Sequence, residues 1–135
     1  MITVECRMGR VIEVCFSATL TPVEMKDMRT PLSAAVVRVG VDVIFAVDFR
    51  PCGPLDPDVL PMMLGLMRSD NRKILRSVHL FDASTVIAEQ MKTAIAEAAN
   101  PQRRAFFDLP ALEKWLSGAA TADEMAAVHN FFSRG

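Results

Sequence analysis

The chain has 135 residues, a formal net charge of -1 at pH 7, 51% hydrophobic residues and 23% charged ones. That is the size of one domain with its own core, too apolar for a disordered polyelectrolyte and without the basic excess a nucleic-acid surface needs, so no nucleic-acid partner is expected. Charge, proline or glycine interrupts every apolar run well before the roughly 18 residues a membrane span takes, and the opening MITVECRMGR lacks the order of a secretory signal, so there is no expected transmembrane segment and the expected compartment is cytoplasmic.

Ile2 to Arg7 and Arg10 to Ser17 are alternating, β-branched segments separated by Met8-Gly9, which predicts a tight antiparallel hairpin with glycine at positive φ. Thr21-Pro22-Val23-Glu24 then supplies a capping hydroxyl, a proline at the first helical position and a first-turn acid, so a helix opens near Pro22. Pro31 should kink or divide that helix, with Leu32 to Val39 continuing as far as Gly40. Val43 to Phe49 reads as a central strand buried on both faces. The next helix is bounded by Asp56 or Asp58 as cap and by Ser69-Asp70-Asn71, with Val59, Leu60, Met63, Leu64 and Met67 at helical spacing. Gly65 inside it costs about 1 kcal/mol relative to alanine, which points to close packing against a neighbouring backbone.

Ile74 to Phe81 is a further strand, and Asp82 to Thr85 lead into a helix from Val86 to Ala99. Arg104 to Phe107 form a short strand and Leu109 to Leu116 a helix, with Asp108 before it and Pro110 in its first turn. Gly118 ends that helix. Thr121, Asp123 and Glu124 then cap a last one carrying Met125, Val128, Phe131 and Phe132 on roughly one face. The alternation between Asp42 and Leu116 requires crossover connections. The expected fold class is α/β, with a single domain over residues 1–117 and a helical extension over 118–135. Its mostly parallel central sheet carries the N-terminal β-hairpin along one edge, and helices pack on the sheet.

Few residues carry chemistry. The three cysteines, Cys6, Cys15 and Cys52, are odd in number and form no CxxC pair, and both histidines lie far from them. Neither a disulfide framework nor a metal site is expected. Cys6 and Cys15 fall in strands and read as small core hydrophobes. Cys52, beside Gly53 before a helix, has no nearby histidine and two aspartates against it as a thiolate. His79 reads as a hydrogen-bonded strand residue and His129 as a solvent-facing helical one. Asp48 and Arg50 stand at the carboxyl end of the central strand, where open α/β sheets present their crevice, although a structural ion pair explains them equally well. Arg72, Lys73, Arg76, Arg103 and Arg104 flank strand starts as a solvated rim. No GxGxxG, P-loop, HExxH or GxSxG occurs, so no cofactor and no enzymatic activity is expected.

The hairpin, the TPVEM helix opening, the strands IFAVDFR, RSVHLF and RRAFFDLP, and the closing ALEKWL together resemble, in order and spacing from Ile2 to Ser117, the SpoIIAA-like family. That family is a branch of the STAS-like fold with kinship to the Sec14/CRAL-TRIO lipid-binding shape. The resemblance implies a bacterial-type regulator that binds a protein partner. In STAS proteins a serine or threonine at the start of the helix after the central strand acts as a phosphorylation switch. Here that turn reads Arg50-Pro-Cys-Gly-Pro-Leu-Asp56-Pro-Asp58 and holds no hydroxyl, so the resemblance implies docking without a phosphoswitch. Asp56 and Asp58 would serve as plain helix caps or as an acidic mimic of the phosphorylated state.

Two functions follow. The first is a noncatalytic regulatory interaction module whose contacts are Arg50, Cys52, Asp56 and Asp58 in this loop, the Met-rich helix behind it, or Phe131 and Phe132 in the last helix. The alternative is a small apolar-ligand or lipid-binding protein with a pocket between sheet and helices, suggested by nine methionines and eight phenylalanines. A symmetric homodimer through an edge strand or the terminal helix is a third form of partnership.

Overall fold

A computed structural model describes residues 1–134, and in it the hairpin forms as the alternation predicts. Strand β1 (Ile2–Met8) turns at Gly9, φ 54°, into β2 (Val11–Phe16). The capping box at Thr21 and Glu24 opens α1 (Pro22–Asp27), with Pro22 in its first turn. The division expected at Pro31 falls three residues earlier, at Met28, and α2 (Arg29–Val39) places Pro31 in its own first turn. A proline there removes no intrahelical hydrogen bond, so the chain bends where Met28 joins the two helices instead.

Strand β3 (Val43–Asp48) is buried at all six positions and lies third in a sheet of order β1-β2-β3-β4-β5. The remaining elements are α3 (Val59–Asp70), β4 (Ile74–Leu80), α4 (Val86–Ala98), β5 (Arg103–Phe106), α5 (Leu109–Leu116) and α6 (Ala122–Ser133). Only β1 is antiparallel to its neighbour; β2, β3, β4 and β5 run parallel. The molecule is a single α/β domain.

Successive strand side chains point to opposite faces, so each strand feeds two cores. On the first face Ile12, Val14, Phe16, Phe45, Val47 and Phe49 pack under α1, α2, α3 and α4, with Met25, Met28, Met63, Met67 and Met91 filling between them. Most of the methionines are therefore packing residues. On the second face Val11, Ile44, Ala46, Val78 and Leu80 pack under Leu112 and Leu116 of α5 and Val128 and Phe132 of α6. The last helix thus shares a core with the sheet.

Three local expectations are corrected. Gly65 has nothing within 4 Å of the point where a Cβ would stand, so no close backbone approach explains it. Gly65→Ala should then raise stability by about 1 kcal/mol through helix propensity alone, read as a shift in urea midpoint at unchanged slope. A loss of stability would show a packing demand at that position. Cys6, on the edge strand, is half-buried and packs against the first core as expected, whereas Cys15 is half-buried on the second face and Cys52 is the buried thiol. Arg103 does not belong to a solvated rim: it is 6% exposed.

Candidate functional site

Helices α5 and α6 do not cover all of the second face. What they leave bare is a cleft of about 540 Å³ over the hairpin, beside the carboxyl end of α6. The period of two puts Thr3, Glu5 and Arg7 of β1 and Glu13 and Cys15 of β2 on its floor. Asp48, Arg50 and Pro51 close it where β3 ends, Asp82 stands just beyond β4, and Phe131 and Arg134 form the α6 wall.

Charge in the cleft is largely committed. Arg50 grips Asp48 through both carboxylate oxygens, Nε to Oδ1 at 3.0 Å and a terminal nitrogen to Oδ2 at 2.9 Å, and the Arg50 amide also donates to Oδ1 at 3.0 Å. The same guanidinium donates to the Phe132 carbonyl at 2.6 Å, which ties the end of α6 to the end of β3. Asp48 is only 5% exposed, so the pair is a structural clamp as well as a cleft wall. Glu13 lies opposite Glu5 across the hairpin, and like charges so placed repel. Arg7 relieves this by pairing with Glu5 and by standing 3.6 Å from Glu13 Oε1. Burial raises the Glu13 carboxyl above its usual range, with Arg7 and Arg134 opposing the shift. Burial, followed by the charge of Asp48, likewise raises the Cys15 thiol. Neither histidine lines the cleft: His79 lies on the first face, stacked on Phe49, and His129 Nδ1 lies 2.6 Å from Glu113 Oε1.

The structure divides the residues singled out from sequence. Arg50 lines the cleft, and Phe131 does too. Phe132, 1% exposed, is core, its ring 4.9 Å from that of Phe131. Cys52 is 8% exposed in the first core, and burial pushes its thiol up to about 11, the opposite of a reactive cysteine. Asp56 and Asp58 are solvent-exposed and outside the cleft. Neither caps α3 with its side chain. Asp58 itself has helical φ and ψ and makes no capping bond, and the Asp56 carbonyl takes the Val59 and Leu60 amides at 2.9 and 3.3 Å. The helix winds back to this point, and neither carboxylate makes the capping bond expected of it. What fixes the turn is a clamp that sequence reasoning missed. Leu55 donates to Gln90 Oε1 and accepts from Gln90 Nε2, both at 2.8 Å. Only a long-range pairing signal could have shown it.

Among the described residues, no pocket large enough for the expected apolar ligand or lipid lies between sheet and helices. That space closes to about 40 Å³, against the several hundred a small-molecule site needs, because Met28, Leu32, Met63 and Met67 occupy it. Among the described residues no helix is long and apolar enough to cross a membrane, and no cluster of side chains has the composition to hold a metal ion.

No protein-family model and no curated protein sequence matches the chain. Among solved structures it is similar to an uncharacterised DUF3478-family protein of Shewanella loihica PV-4 with a SpoIIAA-like fold, at 16% identity and a TM-score of 0.65, over 86% of this chain and 92% of that one. It is also similar to the anti-sigma factor antagonist SpoIIAA in its unphosphorylated form, at 13% identity and a TM-score of 0.59, over 89% of this chain and 100% of that one. The fold is therefore SpoIIAA-like, of the STAS type.

Proposed function

We propose that this SpoIIAA-like fold serves as a noncatalytic regulatory module that binds a protein partner at the cleft and works without a phosphorylation switch. The observation that carries the reading is the chemistry of the cleft itself. It presents acids, arginines and one aromatic wall on a floor of paired β-strands, which suits docking of a polar protein surface. It pairs no nucleophile with a base: its one thiol is raised and no histidine is near. The turn between β3 and α3 contains no serine or threonine, which supports a constitutive module over a phosphoswitch. The likeness to an anti-sigma factor antagonist supports interaction as the mode of action.

The test is capture of a partner from the native cell extract with the wild-type chain and with two double variants. Reversing the exposed rim charges, Asp82→Lys with Arg134→Glu, should reduce recovery at least tenfold. Asp56→Lys with Asp58→Lys should leave it unchanged. Loss only in the second variant would move the contact to the α3 loop, and no specific partner for the wild type would remove the module reading altogether.

A further inference from the structure

The cleft holds four acids and three arginines, and their pairing leaves one acid over. Arg50 holds Asp48 through both oxygens, and Arg7 pairs with Glu5. Asp82 and Arg134, both exposed, set opposite charges at the rim. The acid that remains is Glu13, on the floor. It is 4% exposed, and the cation beside it, Arg7 Nε, stands 3.6 Å from Oε1, beyond hydrogen-bond distance.

A carboxylate so buried ordinarily accepts several hydrogen bonds, and among the described residues Glu13 accepts none with its side chain. It is not sealed off. The unpartnered side-chain atoms without accessible surface are His79 Nδ1 and Arg103 Nε, so the Glu13 oxygens open onto the cleft that the residue lines. Glu5 stands directly opposite on the same face of the hairpin, and a cation placed between the two carboxylates relieves their repulsion. The carboxyl end of α6 borders the cleft, where the helix dipole also favours positive charge. Burial raises the Glu13 carboxyl, the direction expected of an acid short of partners.

The shape selects the kind of cation. At about 540 Å³ the cleft is far larger than an ion, and among the described residues no cluster of side chains has the composition to hold a metal. Phe131 in the wall supplies an aromatic surface for an apolar stem or a guanidinium plane. We propose that the cleft takes a lysine or arginine side chain of the partner, its cationic head donating to Glu13 and its stem lying along Phe131, an assignment that rests on the cleft being the docking site.

Titration of the full chain with N-acetyl-arginine amide and N-acetyl-lysine amide, followed by backbone amide shifts, tests this without the partner. N-acetyl-citrulline amide serves as the neutral isostere and N-acetyl-glutamate amide as the anion. The expected result is saturable shifts at Thr3, Glu5, Glu13 and Cys15 with a cationic probe, binding at least tenfold weaker for the citrulline probe, and a similar weakening of the cation in Glu13→Gln. Absence of saturable shifts with both cations, equal affinity for the citrulline probe, tighter binding of the glutamate probe or unchanged affinity in Glu13→Gln would each overturn the assignment. The comparison of arginine with citrulline on the wild type decides it even where the variant fails to fold. A partner recovered from extract while no cation binds would overturn this assignment and leave docking standing. Cation binding at Glu13 with no partner recovered would support the cationic site and remove the docking reading.

Discussion

Glu124→Ala should cost about 2–3 kcal/mol of stability and lower the thermal midpoint by roughly 10 °C. Glu124 is 3% exposed. Its Oε2 accepts from the Arg10 amide at 2.9 Å and from Arg10 Nε at 3.0 Å, while Oε1 accepts from an Arg10 terminal nitrogen at 2.7 Å and from the Thr121 amide at 2.9 Å. One side chain therefore caps α6 and pins it to the hairpin turn. Removing it abolishes the capping box, worth about 1 kcal/mol, and strands the donors that converge on it. Arg10 is one-third exposed and can turn to water, which keeps the loss below that of a wholly buried pair. These bonds, the Arg10 side chain first, hold the carboxyl at about 2, below its ordinary 4.5. A depressed carboxyl stabilises the fold above its unfolded value, so this contribution is complete above about pH 4.5 and disappears as pH falls through about 2. Urea titrations in acid should show that limb in the wild type and lose it in Glu124→Gln. Gly9 bears on the same contact, since a Cβ there would stand 2.7 Å from Glu124 Oε2 at a φ of 54°.

A second acid limb is expected at higher pH, from His79. Burial, with the Arg103 charge added to it, lowers the His79 imidazole well below its ordinary 6.5. The folded state keeps the ring neutral while the unfolded chain takes up a proton below about pH 6.5, so stability falls as pH is lowered from there. One proton per pH unit is worth 1.36 kcal/mol, so the loss between pH 6.5 and 5 should be at most about 2 kcal/mol. His79→Phe preserves the stacking on Phe49, now 5.9 Å between ring centroids, and should flatten the profile in this interval. Equal slopes for the two proteins between pH 6.5 and 5 would place the acid sensitivity elsewhere.

The elements were legible because their signals are local. Alternation around Gly9, the Thr21 and Thr121 capping boxes and the apolar run from Val43 to Val47 in β3 each dictate structure within a few residues. Leu109–Leu116 was readable at both ends for the same reason. The site was far less legible. Asp48 and Arg50 were recognisable as neighbours at a strand end, but that the guanidinium also holds the Phe132 carbonyl depends on contacts 82 residues apart. The apolar face of α6 was visible in the pattern, yet periodicity cannot say whether such a face meets a partner or the same chain. Here Val128 and Phe132 meet the sheet and Phe131 is left for the cleft. The Asp56 and Asp58 cap failed on a backbone detail, a helical φ and ψ at Asp58, and no side-chain pattern carries that information.

The cleft has its floor in the first two strands and a wall in the last helix, and the contact that joins them spans 114 residues. Such a site depends on contacts of long sequence separation and is complete only when both ends of the chain have come together. During synthesis the hairpin leaves the ribosome long before α6 exists, so a nascent chain carries the floor without the wall. If the cleft docks a protein as proposed, that docking would require a finished chain, because a half-made one carries only part of the surface.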